Sequence, residues 1–230
     1  MPTLILSLET SSPVCSVALH QDGRLVGQSE LRLEKSHSSH LSVLVNQLLE
    51  NSQYTLRDLA AVAVSDGPGS YTGLRIGAAA AKGLCFALDL PLIAVSTLQA
   101  IAGQVAAYTV AAEDVLFCPM LDARRMEVYS ALYAADGREV LAPAPLILEP
   151  DTLAEQLAHH RLLFFGNGAA KFQPLVADQP HAGFLGGIEP SAIAVGTLAQ
   201  AAFVRQDFRD VAYYEPFYLK EVYTTTPKAK

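Results

Sequence analysis

Three groups of residues have the types and spacing to do chemistry. His37 and His40 stand three apart at the start of a helix-like stretch, so both can share one face. They would be two ligands of a metal site, but no obvious third and fourth ligands accompany them. His20 belongs to a hairpin end, and the His159-His160 pair to a distant helix end. Asp122 closes a strand-like run and is the one carboxylate placed to hold magnesium. The Ala123-Arg124-Arg125 that follows has no glycine, and the residue reads better as a strand-end carboxylate. Ser70 lies inside Gly67-Pro68-Gly69-Ser70-Tyr71-Thr72-Gly73-Leu74-Arg75-Ile76-Gly77. As a nucleophile it needs a Gly-x-Ser-x-Gly elbow, and Pro68 stands where that elbow requires glycine. As a phosphate loop the block needs a following Gly-Lys-Ser/Thr, which is absent. The remaining role for Ser70 or Thr72 is to cap a helix, a hydroxyl accepting from an otherwise unpaired amide.

That helix is unusual. Gly73, Gly77 and Ala81 recur every four residues, leaving one face nearly bare. A helical glycine costs about 1 kcal/mol against alanine, so two of them predict that another backbone comes very close. The apolar run Ala60 to Val64 leads into the block and the small-residue run Ala78 to Leu88 leaves it, giving strand, glycine turn, helix.

The elements that must position these residues follow from periodicity. Leu4 to Leu8, Val14 to His20 and Arg24 to Leu33 read as strands, the last two joined by the turn Gln21-Asp22-Gly23. His40 to Glu50 has helical spacing at Leu41, Leu44, Val45, Leu48 and Leu49. Leu92 to Val95 is a strand, and Ser96 or Thr97 caps a helix to about Ala107. The plan then repeats: strands Leu116 to Leu121, Met126 to Tyr133 and Arg138 to Leu148, with the hairpin Ala135-Asp136-Gly137. A helix follows from Asp151 to His159, a strand from Leu162 to Phe165, the turn Gly166-Asn167-Gly168, and a helix from Ser191 to Arg205. Pro174 to Pro190 reads as surface loop. Two lobes are expected, 1–107 and 108–230, each a duplicated β-β-β-α-β-α unit of an α/β fold.

Composition narrows the class. Of 230 residues 51% are hydrophobic, ample for a core and too many for disorder. No uninterrupted apolar run reaches the roughly 18 residues that span a bilayer, and no signal peptide is apparent. Cys15, Cys85 and Cys118 lie in apolar segments without paired spacing, which suits buried thiols in a cytoplasmic protein. The net charge is −7, and Arg124-Arg125 is the only basic pair. Stand-alone nucleic-acid binding therefore lacks a basic face, although a partner could supply one.

Four motifs in order resemble the bacterial TsaB family, also called YeaZ. They are Leu8-Glu9-Thr10-Ser11, Ser36-His37-Ser38-Ser39-His40-Leu41, the glycine block, and Pro216-Phe217-Tyr218-Leu219-Lys220. The resemblance spans nearly the whole chain, and the glycine block is its specific part. Glu9 stands where relatives usually carry Asp, and Lys220 where they often carry Arg. The resemblance implies a two-lobed actin-like ATPase fold (ASKHA, RNase H-like). It implies a part in making N6-threonylcarbamoyladenosine (t6A) at position 37 of tRNA, as the partner of the paralogous transferase TsaD, with TsaE joining. ATP and metal are then expected on TsaD and TsaE, with tRNA reached through the complex.

In actin-like ATPases glycine turns after the first strand of each lobe hold the phosphates. Here the first is Glu9-Thr10-Ser11-Ser12-Pro13 and the second Leu121-Asp122-Ala123-Arg124-Arg125, both without glycine. Only the adenosine-side turn keeps its glycines, Gly166 and Gly168, which are weak cofactor-binding candidates. No catalytic residue, metal ligand or cofactor of its own is expected. The expected partner interface is His37, His40, Ser70, Tyr71, Thr72, Gly73, Ile76, Gly77 and Ala81, used for a TsaD heterodimer, or for a homodimer when the chain is alone. The alternative is an independent nucleotide-binding ATPase or kinase of the same superfamily.

Overall fold

A computed structural model describes residues 2–33, 36–109 and 114–220. The chain runs β1 (Leu4–Glu9), β2 (Cys15–Gln21), β3 (Arg24–Leu31), α1 (His37–Asn51), β4 (Ala61–Gly67), α2 (Tyr71–Leu88), β5 (Leu92–Ser96) and α3 (Thr97–Ala106). The order then recurs as β6 (Val115–Asp122), β7 (Glu127–Tyr133), β8 (Glu139–Ile147), α4 (Ala154–His159), β9 (Arg161–Phe165), α5 (Ala169–Phe172), β10 (Ala182–Leu185) and α6 (Ala192–Val204). The sheets are β3-β2-β1-β4-β5 and β8-β7-β6-β9-β10. Each opens with an antiparallel three-strand meander and closes with parallel strands. The two halves are copies of one α/β plan. Part of the expected junction, residues 110–113, lies outside the described residues.

Alternation along the central strands decides what each sheet face carries. In β1, Leu4, Leu6 and Leu8 join Leu41, Leu44, Val45 and Leu48 of α1 in one core. Ile5, together with Ala61, Ala63, Ile93 and Val95, packs on Ala194, Val195, Ala199 and Ala202 of α6. The halves therefore trade helices. α6 covers the first sheet, while Leu98, Ile101, Ala102 and Val105 of α3 pack with Phe117, Leu121, Ala131 and Tyr133 of the second.

One stretch departs from expectation. Between Pro174 and Pro190 the chain does not stay a loop. It finishes a 3-10 turn (Gln173–Val176) and forms β10 parallel to β9. Ala182-Gly183-Phe184-Leu185 is too short to show alternation. Its anchor is tertiary: Phe184 stacks on Phe164 at 5.0 Å.

Candidate functional site

The glycine helix begins where Ser70 Oγ accepts from the Gly73 amide at 3.3 Å, so Ser70 is the cap, as its position suggested. The bare stripe points inward. A Cβ on Gly73 would run into the Thr10 carbonyl oxygen, one on Gly77 into Thr10 Oγ1, and one on Gly69 into Ser11. Ser70 N donates to Ser11 O at 2.7 Å. The predicted close backbone approach is real, and the backbone is the chain's own turn after β1.

This corrects the expected interface. Gly73, Gly77 and Ala81 are buried inside the chain's own fold. His37 is buried as well, its Nε2 3.4 Å from the Val14 carbonyl oxygen. The helix start tucks over the end of the β1–β2 turn, and the small residues make room for it. A bulky side chain at Gly77 would disturb this packing, so such a variant would not leave the fold intact. Thr72, half-buried Ile76 and half-buried His40 remain at the surface, as do Ser70 and Tyr71. His40 is held by its own helix start, with Nδ1 3.2 Å from Ser36 O.

What faces outward between α1 and α2 is a groove of about 290 Å³, lined by Leu41, Val45, Leu56, Ala79, Ala80 and Leu84, with Ser42, Asn46 and Gly83 on its walls. Nothing approaches within 4 Å of a Cβ placed on Gly83. Sequence reasoning placed the expected contacts on these two helices, and the structure puts the glycine stripe of the second on its inner face. The outer face carries the complementary stripe Thr72, Ile76, Ala79, Ala80 and Gly83, which the glycine repeat overshadowed.

Several amides of the turns that would cradle phosphate are bonded within the chain. In the first, Thr10 N donates to Ser65 Oγ at 3.4 Å, Ser11 N to Glu9 Oε1 at 2.5 Å and Val14 N to Ser12 Oγ at 3.1 Å. In the second, Asp122 N donates to Asn167 Oδ1, Ala123 N to Glu127 O and Arg124 N to Asp122 Oδ1. Without glycine the chain turns there through left-handed Arg124 and Arg125, φ 71° and 49°. The Asp122 carboxylate takes the Lys171 ammonium at 2.6 Å, so a lysine fills the place of a cation and the residue is a strand-end carboxylate.

Gly166 and Gly168 have a structural use. A Cβ on the first would meet Met120 O, and one on the second Leu121 and Val128. Their backbone freedom serves the close packing of this turn on β6. Among the described residues no group of three or more His, Cys, Asp or Glu side chains could hold a metal ion, and no helix is long and apolar enough to cross a membrane.

Burial tunes the groups around the first turn. Glu9 is fully buried with Oε2 unpartnered. Desolvation pushes its carboxyl above the usual range, against the pull of its bonds to Ser11, Ser65 and Thr10. His20 is buried beside Gly196 of α6, whose missing side chain makes room for the ring. Its Nδ1 has no partner, and desolvation lowers its pKa. All three cysteines are buried. Desolvation raises Cys15 and Cys85 to about 11 and Cys118 to about 12, which leaves them inert thiols.

Known proteins share both this sequence pattern and this fold. The family model for TsaD, tRNA N6-adenosine threonylcarbamoyltransferase, matches residues 31–220. The chain is 30% identical over 234 residues to the tRNA threonylcarbamoyladenosine biosynthesis protein TsaB of Haemophilus influenzae, covering 96% of this chain and 94% of that one. A crystal structure of a Pseudomonas aeruginosa protein described as similar to peptidase YeaZ superposes with a TM-score of 0.79 at 31% identity, over 95% of this chain and all of that one. The actin-like ATPase fold is seen at greater distance. The activator of 2-hydroxyisocaproyl-CoA dehydratase from Clostridium difficile matches with a TM-score of 0.51 at 10% identity, over 90% of this chain and 96% of that one.

Proposed function

The chain belongs to the TsaB family of tRNA threonylcarbamoyladenosine biosynthesis proteins, and from that premise we propose that it is a non-catalytic subunit that binds TsaD and holds it in its active arrangement. One observation carries the reading: the turn that would take phosphate is closed by the chain's own α2, and the outer face of that same helix forms an apolar groove with α1. A turn whose Thr10, Ser11 and Val14 amides are already bonded within the chain has fewer amides free to stabilise a transferring phosphoryl group. An apolar groove between two helices suits a helical partner packed into it. In this reading TsaD supplies the transferase chemistry, TsaE joins the complex, and ATP and metal reside on those proteins. Without TsaD the groove pairs with a second copy as an isologous contact. The protein works in the cytoplasm, where its tRNA substrate is.

The contacts assigned to TsaD are Ala79, Ala80, Gly83 and Leu84 of the groove, with Thr72, Ile76 and His40, which remain at the surface. Gly83→Lys places a charge in the groove at a position open to solvent, so the fold is retained. The reconstituted TsaD system, assayed for threonylcarbamoyl transfer to tRNA, should lose both TsaD capture and transfer with G83K. Capture and transfer at the parent level by folded G83K would sink the groove assignment. ATP turnover by the isolated chain would favour an independent ATPase instead.

A further inference from the structure

The segment after α6 returns across the molecule and is fastened along its length. The Lys82 ammonium donates to the Ala212 and Tyr214 carbonyl oxygens at 3.1 and 3.0 Å. The Tyr214 hydroxyl donates to Asp66 Oδ1 at 3.0 Å, and Phe217 N to Asp66 O at 2.8 Å. Gly67 lies so close to the Phe217 carbonyl that a Cβ there would collide with it. Lys220 then crosses to the second half and pairs with Glu127. The fastened strap sets two aromatic rings side by side at the surface. Tyr218 packs on Tyr71 with centroids 5.0 Å apart and planes tilted by 48°. Arg75 extends over the Tyr71 ring at 5.6 Å and donates to its hydroxyl at 3.1 Å.

The ridge continues past Lys220. The Tyr129 hydroxyl lies in the field of Lys220, Glu127 and Arg124, and Arg124 and Arg125 project from their left-handed turn into solvent. Among the described residues no carboxylate comes within salt-bridge distance of Arg75, Arg124 or Arg125. Lys171 and Lys220 are paired with Asp122 and Glu127, and Asp66 and Glu215 lie along the strap, so the unpaired positive charge is that of Arg75, Arg124 and Arg125, on a chain of net charge −7. Sequence separation hid it: the contributing residues come from α2 and the β6–β7 turn.

We propose that this ridge binds a single-stranded RNA loop, with a base stacking on the Tyr218 side of the Tyr71–Tyr218 pair and phosphates passing Arg75 at one end and Arg124-Arg125 at the other. Exposed aromatic faces give sequence-tolerant stacking, and flanking arginines neutralise a backbone without reading bases. The tyrosines remain 39% and 36% exposed; Tyr218 and Arg75 lie against the Tyr71 ring, so the base is assigned to the side of Tyr218 turned away from Tyr71. The proposal rests on the tRNA-modification role above and adds to it a direct contact with tRNA, which sequence reasoning assigned to the complex alone.

The test measures fluorescence anisotropy of a labelled tRNA anticodon stem-loop, with a blunt RNA duplex as control, against the TsaD complex of this chain. Tyr218→Ala should weaken stem-loop binding by roughly 5- to 150-fold, the worth of one base–aromatic stack, and Tyr218→Phe should restore it. Arg124→Gln with Arg125→Gln should lower the slope of log K against log salt by about 1.4, roughly 0.7 for each single-strand phosphate no longer neutralised. Capture of TsaD is measured on the same variants, and thermal unfolding checks the fold. Unchanged RNA affinity and salt slope in folded variants overturn the ridge and leave the scaffold reading standing. Loss of TsaD capture with RNA affinity intact also overturns it, by making the ridge a protein contact. Equal binding of duplex and stem-loop overturns the stacking.

Discussion

One substitution made at three points of α2 separates the two faces of the helix. Replacing glycine by alanine inside a helix gains about 1 kcal/mol from backbone entropy alone. At Gly83 nothing opposes that gain, because a Cβ there meets no atom within 4 Å. Gly83→Ala should stabilise the protein by close to the full amount, raising Tm by about 2–4 °C for a chain of this size. At Gly73 the new methyl meets the Thr10 backbone carbonyl, which cannot rotate away because Ser11 and Thr10 are tied to Ser70, Glu9 and Ser65. Overpacking of this kind costs about 1–3 kcal/mol or more. It outweighs the gain, leaving Gly73→Ala below the parent by as much as about 2 kcal/mol. Gly77→Ala falls between, because it meets the unpartnered Thr10 hydroxyl, a side-chain atom free to turn, and Val64 at 3.3 Å. The expected order of stability is Gly83→Ala, parent, Gly77→Ala, Gly73→Ala, read from urea unfolding midpoints at constant slope. If Gly73→Ala proves as stable as Gly83→Ala, the helix does not rest on the β1 turn, and the case for a closed phosphate turn falls with it.

Two further predictions follow from the buried polar groups. His20 has a folded pKa below its unfolded value, so the unfolded chain binds the extra proton. Stability is then full above about pH 6.5 and is lost as pH falls from there through the lowered folded pKa, and His20→Gln should flatten that part of a stability–pH profile. A profile equally steep with and without His20 would assign the acid loss to other groups. Tyr214→Phe removes the hydroxyl that donates to the half-buried Asp66 carboxyl. It should cost about 1–3 kcal/mol and speed proteolysis of the strap, and a variant cleaved no faster than the parent would show that this bond does not fasten it.

How much of this was legible in the sequence depends on the range of the interaction that fixes each feature. The duplicated order was readable because the strand meanders and the Asp-Gly-Arg hairpins recur locally, in 22–24 and 136–138. The lack of glycine in the two turns was readable because it is a local property of Glu9–Pro13 and Leu121–Arg125. What the side chains of those turns meet was not readable. That Lys171 would sit on Asp122 depends on α5 meeting the end of β6, across 49 residues of sequence. The glycine stripe shows the same limit. Its spacing demanded a close backbone without saying whose, and a helix in a two-layer fold has both an inner and an outer claimant. The answer lay in Thr10, 63 positions from Gly73, whose carbonyl takes the space. A helix that spends its bare face on its own sheet offers a partner only the other face. The search for partner contacts therefore moves from the glycines to the alanine groove.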